Sequence, residues 1–418
     1  MGLSTDTIEI MSPVGSYESL MAALQAGANS VYFGIEQLNM RARSSNNFTK
    51  EDLKRIVEIC NNKGVKTYIT INTVVYDDEL PLMRQIVDSA KENGVSAIIA
   101  SDLSVIKYAR EKEIEVHLST QCNVSNIETL KFYSTYADVI VLARELNLKQ
   151  ISEICNTIEK QQICGPSGNL IKIEIFIHGA LCSSISGKCY LSLDNANYSA
   201  NRGACLQICR RPYQVKDKDG GIELEIDNEY IMSSKDLCTI GFLDKILKAG
   251  VKVLKIEGRG RSPEYVKTVT DVYKTAVLAY QKQGNYNKQN IALWTNRLKT
   301  VFNRGFWDGY YLGRKMGEWA DQYGSQATRR KEYIGKITNY FTKLGVAEIK
   351  VEAENLNTGD EIIITGPTTG VYKGIVKEIR VDLKKTTTAK KGDVCSIPIN
   401  TFLRRSDKLY KLIEVPLN

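Results

Sequence analysis

The stretch that decides the fold is Lys66–Leu118, which reads KTYITINTVVYDDELPLMRQIVDSAKENGVSAIIASDLSVIKYAREKEIEVHL. Short runs rich in β-branched residues, such as Lys66–Ile71 and Ala97–Ala100, alternate in it with amphipathic stretches such as Leu80–Asn93. Gly94 stands where a helix is expected to end and the next strand to begin. Strands that alternate with helices of about 10–15 residues indicate a parallel βα architecture.

The same unit repeats outward from this stretch through residue 284. Eight units in about 280 residues fit a closed barrel better than an open doubly wound sheet. The sequence therefore predicts an α/β fold, a TIM-like (β/α)8 barrel. Its eight predicted strands are Ile8–Met11, Ser30–Phe33, Lys66–Ile71, Ala97–Ala100, Glu115–Leu118, Val139–Ala143, Lys172–Ile177 and Val253–Glu257.

A long insertion interrupts the repeat after the seventh strand. Residues 178–252 separate this strand from the eighth, where a loop of about two to six residues is usual. Loops at the C-terminal ends of barrel strands carry the active sites of such enzymes. We therefore expect residues 1–284 to form a catalytic barrel domain, with 178–252 as its cysteine-rich, functional insertion.

Two further regions follow the barrel. Residues 285–332 are rich in aromatic side chains and are interpreted as a connecting segment. Residues 333–418 change to short strands separated by turns such as Asn357–Asp360 and Lys391–Asp393. This pattern predicts a C-terminal domain that is a small antiparallel β-barrel.

The composition is that of an ordinary soluble globular protein, with 43% hydrophobic and 25% charged residues. No apolar run is long enough to span a membrane. The first residues, Met1–Asp6, lack the basic and apolar regions of a secretion signal. We therefore expect a cytoplasmic protein with no membrane partner.

The positive charge is concentrated near the C-terminus. Residues 285–418 hold 23 Lys and Arg against 14 Asp and Glu, a net charge of +9, whereas the whole chain carries +8. One interpretation is a solvated face, and the other is a surface that binds the phosphates of a nucleic acid. The candidate RNA-binding residues of that surface are Arg329, Arg330, Lys384, Lys385, Lys390 and Lys391.

Four of the ten cysteines crowd into the insertion. Cys182, Cys189, Cys205 and Cys209 have the spacing C-x6-C, fifteen residues, C-x3-C. Such a set can hold Zn²⁺ or an iron–sulfur cluster, or form a redox or structural thiol group. The absence of C-x2-C knuckles favours the cluster over zinc. Cys238 is a further candidate ligand.

The two histidines limit the chemistry that the chain can perform. No H-E-x-x-H or G-x-S-x-G motif is present, which excludes a zincin site and a serine-hydrolase elbow. His117 lies within a predicted strand and is interpreted as a core residue. His178 ends the seventh strand beside the cysteines and is interpreted as functional.

Polar residues at the C-terminal ends of the barrel strands are the other candidates. Several arginines around one barrel mouth suit a small anionic ligand, because the guanidinium fork matches a carboxylate. The alternative is that these arginines form salt bridges with Glu145 and Glu257. The full set is Ser12, Arg41, Arg43, Asn72, Asp102, Gln121, Arg144, Glu145, Lys255, Glu257 and Arg259.

Seven motifs between residues 8 and 285 resemble a known family. They are Ser12–Ser16, Ala26–Gly34, Leu142–Leu146, His178–Cys182, Asn201–Cys205, Cys209–Tyr213 and Lys255–Arg259. On these motifs the chain is identified as a member of peptidase family U32, historically called collagenase-like proteases, and the C-terminal β-barrel also fits.

The resemblance implies oxygen-independent hydroxylation rather than proteolysis. One branch of the family makes 5-hydroxyuridine at the wobble position of tRNA and depends on prephenate. A second makes a hydroxycytidine in ribosomal RNA, and a third, which binds [4Fe–4S] clusters, hydroxylates a ubiquinone precursor. Chain length and the C-terminal domain favour the tRNA branch. A peptidase, a hydroxylase of another RNA or of a quinone precursor, and a non-enzymatic RNA-binding protein are the alternatives.

Carried onto this sequence, the resemblance implies the following site. A [4Fe–4S] cluster is expected on Cys182, Cys189, Cys205 and Cys209, tRNA as the partner, and prephenate as the small anionic co-substrate. An oligomer with itself or with a family paralogue is compatible with the family. From the residues at the ends of the barrel strands, and not from the resemblance, the expected catalytic residues are His178, Arg144, Glu145, Glu257 and Arg259. The expected substrate-binding residues are Arg41, Arg43, Asn72, Gln121 and Lys255.

Overall fold

The computed structural model describes residues 8–43, 47–214, 230–284, 286–313 and 318–415. Eight of the strands in these residues are parallel and close into a barrel, and the others lie in the insertion and beyond the barrel. In chain order the strands are β1 (Glu9–Pro13), β2 (Ser30–Gly34), β3 (Lys66–Ile71), β4 (Ala97–Ala100), β5 (Glu115–Leu118), β6 (Val139–Val141), β7 (Lys172–Ala180), β8 (Asp236–Cys238), β9 (Val253–Ile256), β10 (Phe306–Trp307), β11 (Arg329–Phe341), β12 (Val346–Val351), β13 (Leu356–Asn357), β14 (Glu361–Gly366), β15 (Gly370–Ile375), β16 (Ile379–Val381), β17 (Lys384–Thr386), β18 (Thr388–Ala389), β19 (Val394–Pro398) and β20 (Lys408–Glu414).

The helices fill the connections between the barrel strands and continue beyond them. They are α1 (Tyr17–Gln25), α2 (Lys50–Asn61), α3 (Leu80–Glu92), α4 (Leu103–Glu111), α5 (Ile127–Ser134), α6 (Leu148–Gln161), α7 (Leu191–Ala196), α8 (Leu243–Lys248), α9 (Pro263–Gln283) and α10 (Lys288–Lys299).

The barrel closes through strand β9. Strands β1 to β7 pair in sequence order, and β9 pairs in parallel with both β7 and β1. The TIM-like barrel is therefore confirmed. Several helices begin at a side chain that accepts a hydrogen bond from the first turn: Thr49 and Asp52 form a capping box at α2, and Asn147 and Gln150 form one at α6. These caps fix the point at which the chain leaves the mouth of the barrel.

Two apolar layers stabilise the barrel domain. The larger core lies between the strands and the surrounding helices. Helices such as α2 and α6 each have one apolar face, and this face packs against the strands. The smaller one lies inside the barrel and consists of Met11, Tyr32, Tyr68, Ala97, Ile99, Val139 and Val253. Three buried ionisable side chains, on His117, Glu174 and Lys255, share this interior.

The insertion after β7 is anchored to the barrel sheet. Strand β7 runs to Ala180, three residues beyond the predicted Ile177, and β8 returns antiparallel to it. Gly203 (φ 81°) lies so close to β2's following loop that a Cβ atom there would stand 2.3 Å from the backbone oxygen of Asn39. This close approach holds the cysteine-bearing loop over the barrel mouth. Residues 215–229 of the insertion lie outside the described residues.

The segment 285–332 belongs to the barrel domain more than its interpretation as a connector suggests. Strand β10 pairs in parallel with β8 and so extends the barrel sheet. The Tyr311 hydroxyl donates to the backbone oxygen of Phe176 (2.7 Å), and the Trp307 indole donates to that of Lys235 (3.0 Å). The aromatic side chains of this segment are therefore part of the wall behind the insertion. Residues 314–317 lie outside the described residues.

The C-terminal region is antiparallel and carries its own core, as predicted. Eight strands are paired in the order β15-β14-β20-β11-β12-β19-β16-β17, and β13 and β18 form a separate pair. Within the described residues 318–415, the end strands β15 and β17 do not pair, so the sheet curls round its core without the closed ladder that a β-barrel implies. The side chain of Gln25 joins the two regions through hydrogen bonds to the backbones of Thr369 (2.7 Å) and Val371 (3.1 Å).

Candidate active site at the barrel mouth

A cavity of about 220 Å³ lies where the C-terminal ends of the barrel strands meet the cysteine-bearing insertion. Five of the side chains that line it are cationic and one, Glu257, is acidic. Three of the four clustered cysteines are also in its wall. The cationic and sulfur-bearing lining residues are Arg41, Arg144, Arg210, Lys255, Arg259, Cys182, Cys205 and Cys209.

Arg41 and Glu257 form an ion pair at the edge of the cavity. Arg41 Nη2 donates to Glu257 Oε1 (2.9 Å), and the backbone N–H of Ala180 donates to Glu257 Oε2 (3.3 Å). Burial raises the pKa of Glu257, but Arg41, Arg261 and Arg144 together hold it below its usual value. Glu257 is therefore an ionised carboxylate that orients Arg41. The sequence analysis offered salt bridges with Glu257 as an alternative role for the arginines, and Arg41 forms such a salt bridge.

Arg259 is built into the barrel. Its Nη1 donates to Asn39 Oδ1 (3.0 Å) and to Thr70 Oγ1 (2.9 Å). A Cβ atom on Gly34 would stand 2.7 Å from this nitrogen, so the glycine makes room for the guanidinium. Burial lowers the pKa of Arg259 to about 10, which still leaves the group cationic at neutral pH. Arg259 therefore supplies a fixed positive charge in the cavity wall.

Arg144 lines the cavity with a guanidinium whose hydrogen bonds are incompletely satisfied. Its guanidinium lies 4.0 Å above the ring of Phe176, and Nη1 donates to the backbone oxygen of Ala180 (3.3 Å). Its buried Nε has no hydrogen-bond partner in the described structure. Because an unsatisfied buried donor is unfavourable, an acceptor from a ligand in the cavity would complete this side chain.

Lys255 projects into the barrel from β9 and reaches the cavity floor. Its Nζ lies 2.7 Å from Glu174 Oε1, 4.7 Å from the ring centre of Tyr32 and 5.5 Å from that of Phe176. Burial lowers the pKa of Lys255, while Glu174 raises it. The second oxygen of Glu174 lies 3.7 Å from Nδ1 of His117, whose Nε2 is 3.1 Å from Glu115.

Asn72 and Gln121 also line the cavity. The Asn72 amide donates to Gln121 Oε1 (3.3 Å), and Ser119 donates to the same oxygen. These two side chains are neutral, so the charge of the cavity comes mainly from its arginines and Lys255. A small anion held in the cavity would meet both arginine forks and amide dipoles.

Three of the four clustered cysteines, Cys182, Cys205 and Cys209, line the cavity, and Cys189 lies outside its wall. Cys182 is exposed, while Cys189, Cys205 and Cys209 are partly buried. Burial raises the pKa of Cys209, the Arg210 guanidinium lowers it, and the nearby Cys182, Cys205 and Cys189 raise it further. Among the described residues, no three His, Cys, Asp or Glu side chains are placed so as to hold a metal ion.

Several predicted site residues lie elsewhere. His178 is buried among Tyr265, Tyr273 and Phe306 rather than in the cavity wall, and burial lowers its pKa to about 3. The structure thus gives it a packing position, which its place beside the cysteines did not indicate. Glu145 is exposed and does not line the cavity.

Arg43, Cys189 and Cys238 are also absent from the cavity wall. The Arg43 guanidinium lies over the ring of Tyr198 at 5.7 Å. Cys238 pairs in strand register with His178, and burial raises its pKa to about 11. This thiol belongs to the packing behind β7 and not to the four-cysteine group.

The structure divides the candidate RNA-binding residues into two kinds. Arg329 donates twice to Glu361 (2.8 and 2.7 Å), and Arg330 is 3.0 Å from Glu332, so both are engaged within the sheet. Lys384, Lys385, Lys390 and Lys391, here called the lysine edge, are all exposed, and Lys385 is 2.8 Å from Glu378.

The sequence analysis missed Arg210 and Glu174. Arg210 follows the last clustered cysteine, and its guanidinium donates to the backbone oxygens of Leu181 (2.6 Å) and Ser234. Glu174 is fully buried in β7. A charged residue in the middle of an otherwise apolar barrel strand was the available signal, since barrel interiors are usually filled with Val, Ile and Leu.

The family model for Peptidase family U32 matches residues 15–321, and the chain belongs to this family. One relative, named collagenase, from Porphyromonas gingivalis, is 60% identical over 98% of this chain and 99% of its own. The tRNA hydroxylation protein P1 of Bacillus subtilis is 30% identical over 86% of this chain and 83% of its own. A 23S rRNA 5-hydroxycytidine synthase of Escherichia coli is 33% identical over 76% of this chain and 47% of its own.

A solved U32 peptidase structure aligns with 62% of this chain and 96% of its own, with 12% identity and a TM-score of 0.40. In the residues that the structure describes, no helix is both long enough and apolar enough to cross a membrane.

Proposed function

We propose that this protein hydroxylates RNA without oxygen, with tRNA as the substrate and the wobble uridine as the modified base. The observation that carries the proposal is one cavity whose wall combines five cationic side chains with three of four clustered cysteines. Relatives named for tRNA and rRNA hydroxylation are 30% and 33% identical to the chain. Such an activity takes place in the cytoplasm, where tRNA is available.

A small dicarboxylic co-substrate, for which prephenate is the candidate, fits the charge of the cavity. Arg144 offers an unsatisfied Nε, and Arg259 contributes a buried cation. Two carboxylates need two cationic anchors in a site that excludes water, because charge-assisted hydrogen bonds are strongest there. Arg41, oriented by Glu257, is the third anchor.

The four cysteines fit a [4Fe–4S] cluster in number and in kind. Cys182, Cys189, Cys205 and Cys209 would hold the cluster beside the cavity, whose wall contains three of them. A cluster there supplies electron transfer or polarisation of the bound substrate, while the arginines of this chain bind and orient the co-substrate.

The lysine edge is the proposed contact for the RNA backbone. Its four lysines are exposed, and the region from residue 285 onward carries a net charge of +9. Cations on such a surface bind phosphates by releasing condensed counterions. Arg329 is less exposed and is paired with Glu361, so it is assigned to the sheet instead. Arg330 and Lys385 are both largely exposed, and each has one carboxylate neighbour.

The test is nucleoside analysis of RNA from cells that lack the gene and carry either the wild-type or a variant copy. Arg144→Lys should lower the hydroxylated uridine strongly, whereas the matched variant Arg43→Lys, outside the cavity wall, should not. A hydroxylated cytidine in ribosomal RNA would redirect the proposal to the second RNA. An RNA nucleoside profile identical with and without the gene would exclude RNA hydroxylation.

A peptidase is the second candidate, because relatives as similar as 60% are named collagenase. In the pairing of β7 with β8, Cys238 lies opposite His178, which makes them the candidate cysteine–histidine pair. The pKa of this thiol is raised to about 11 and that of the imidazole lowered to about 3, both by burial. A nucleophilic cysteine needs the reverse, a thiolate beside an imidazolium. Gelatin cleavage by wild-type protein that disappears in Cys238→Ser would support the peptidase.

A further inference from the structure

A row of ionisable side chains crosses the interior of the barrel. Lys255 Nζ is 2.7 Å from Glu174 Oε1, Glu174 Oε2 is 3.7 Å from His117 Nδ1, and His117 Nε2 is 3.1 Å from Glu115 Oε1. Lys255 lines the cavity at one end, and Glu115 begins β5 at the other end, with its side chain 41% exposed. The row therefore connects the cavity with the opposite mouth of the barrel.

The charges of this row balance, although they are deeply buried. Glu174 is fully buried, and His117 and Lys255 are 1% and 4% exposed. Burial lowers the pKa of His117, but Glu115 and Glu174 together raise it to about 9, so the ring is an imidazolium at neutral pH. Two cations thus face two carboxylates. Because apolar residues would fill the space at lower free energy, stability alone does not account for the row.

We propose that Lys255 is the acid–base catalyst of the cavity, and that Glu174 and His117 are positioning residues that hold its ammonium group in place at the cavity wall. The inference rests on the proposed function only in taking the cavity as the active site. Lys255 is chosen because it lines the cavity floor among the anion-binding arginines. Unlike those arginines, an ammonium group can lose its proton when it is buried.

The proton transfer is a simple exchange between nitrogen and oxygen. An N–H bond of the Lys255 ammonium breaks, its electron pair stays on nitrogen, and an O–H bond forms on an oxyanion that develops on the reacting substrate and is more basic than a carboxylate. Lys255 becomes a neutral amine and Glu174 loses its cationic partner on that side. The imidazolium of His117 still faces Glu174, so the buried carboxylate keeps a counter-charge. The reverse step returns the proton.

The other groups that face the row act on Lys255 in different ways. Arg259 and Arg144 lower the pKa of Lys255, which makes proton release easier. Tyr32 and Phe176 cover the ammonium with their rings. On the far side, the ring of Tyr68 lies 4.4 Å from that of His117, and its hydroxyl donates to Glu9 (2.7 Å).

The chain has only two histidines, so the coupling is directly measurable by NMR of protein labelled with ¹³C at histidine. We expect one signal, lost in His117→Gln, to titrate near pH 9 and the His178 signal to stay neutral. Glu174→Gln should lower the pKa of His117 by about one unit or more, since an opposite charge is removed. The matched variant Lys274→Met, at a half-buried lysine on α9, should leave it unchanged. A wild-type His117 signal that titrates near 6.5, or one that Glu174→Gln does not move, would overturn the coupled row.

The catalytic role is tested with Lys255→Arg, which keeps a cation beside Glu174 but cannot release a proton at neutral pH. We expect a loss of hydroxylated nucleoside of about 100-fold or more, as for a missing general acid–base group. The His117 pKa of this variant should match the wild type, which shows that the row is intact. Full activity in Lys255→Arg would refute the acid–base role. If wild-type cells show no hydroxylated nucleoside, the proposed function fails, and the histidine titration still decides whether the row is coupled.

Discussion

Replacing Arg144 with Lys is the sharpest test of the anion site. The change keeps the positive charge but removes the planar fork, its contact over Phe176 at 4.0 Å and the unsatisfied Nε. Losing one charge-assisted hydrogen bond to a carboxylate costs about 1.5–3 kcal/mol. The affinity for a dicarboxylate should therefore fall by roughly 10- to 150-fold, since about 1.4 kcal/mol is a factor of ten.

The assay is calorimetric titration of the purified protein with prephenate, and with a monocarboxylate for comparison. The variant should lose affinity for prephenate while its unfolding temperature stays close to that of the wild type, because within the described residues the hydrogen bond that Arg144 makes is the one to Ala180. Arg259 is a poorer test, since its Nη1 also binds Asn39 and Thr70 within the barrel.

The matched control is Arg43→Lys, a residue outside the cavity wall. Equal affinities of wild-type and Arg144→Lys protein for prephenate would refute the reasoning. A loss confined to Arg43→Lys would move the anion site to the surface near Tyr198.

Three further outcomes follow from the described residues. Anaerobically purified protein should be brown with about four irons per chain. Cys205→Ser should remove the colour, whereas the control variant Cys60→Ser, at a buried cysteine, should not. A colourless protein with one zinc would contradict this. The raised pKa of His117, about 9 against 6.5 unfolded, should stabilise the fold by about 3 kcal/mol below pH 6.5, and this contribution should vanish as the pH rises through 9. Denaturant unfolding of wild type and His117→Gln from pH 6 to 10 would show it as a converging difference, whereas a constant difference would argue against it. Changing the four lysines of the lysine edge to Gln should flatten the salt dependence of tRNA affinity. Arg329→Gln, which loses the ion pair with Glu361, should leave that salt dependence unchanged and lower the unfolding temperature. If the lysine-edge variant keeps the wild-type salt dependence, the RNA binds elsewhere.

The fold could be predicted because its pattern is local. The period of apolar residues and the helix-ending glycines gave eight βα units, and the strand bounds agree closely with the structure, as for Lys66–Ile71 and Glu115–Leu118. Strand β7 is longer than predicted because its extension past Ile177 depends on pairing with β8, which is distant in sequence. The sequence pattern could likewise not predict whether the C-terminal sheet closes into a barrel, since closure depends on whether its end strands pair with each other.

The sequence by itself determined the chemistry available to this protein: two histidines, a set of four closely spaced cysteines, and arginines at the ends of barrel strands. Only the tertiary structure decided which of these groups share a cavity. It brought Arg144 and Glu257 to the cavity wall, left His178 among aromatic rings, and joined Lys255 to Glu174 across the barrel. The physical reason is that a strand period of two tells which residues share a face, while which face lines the cavity depends on how distant strands close upon one another.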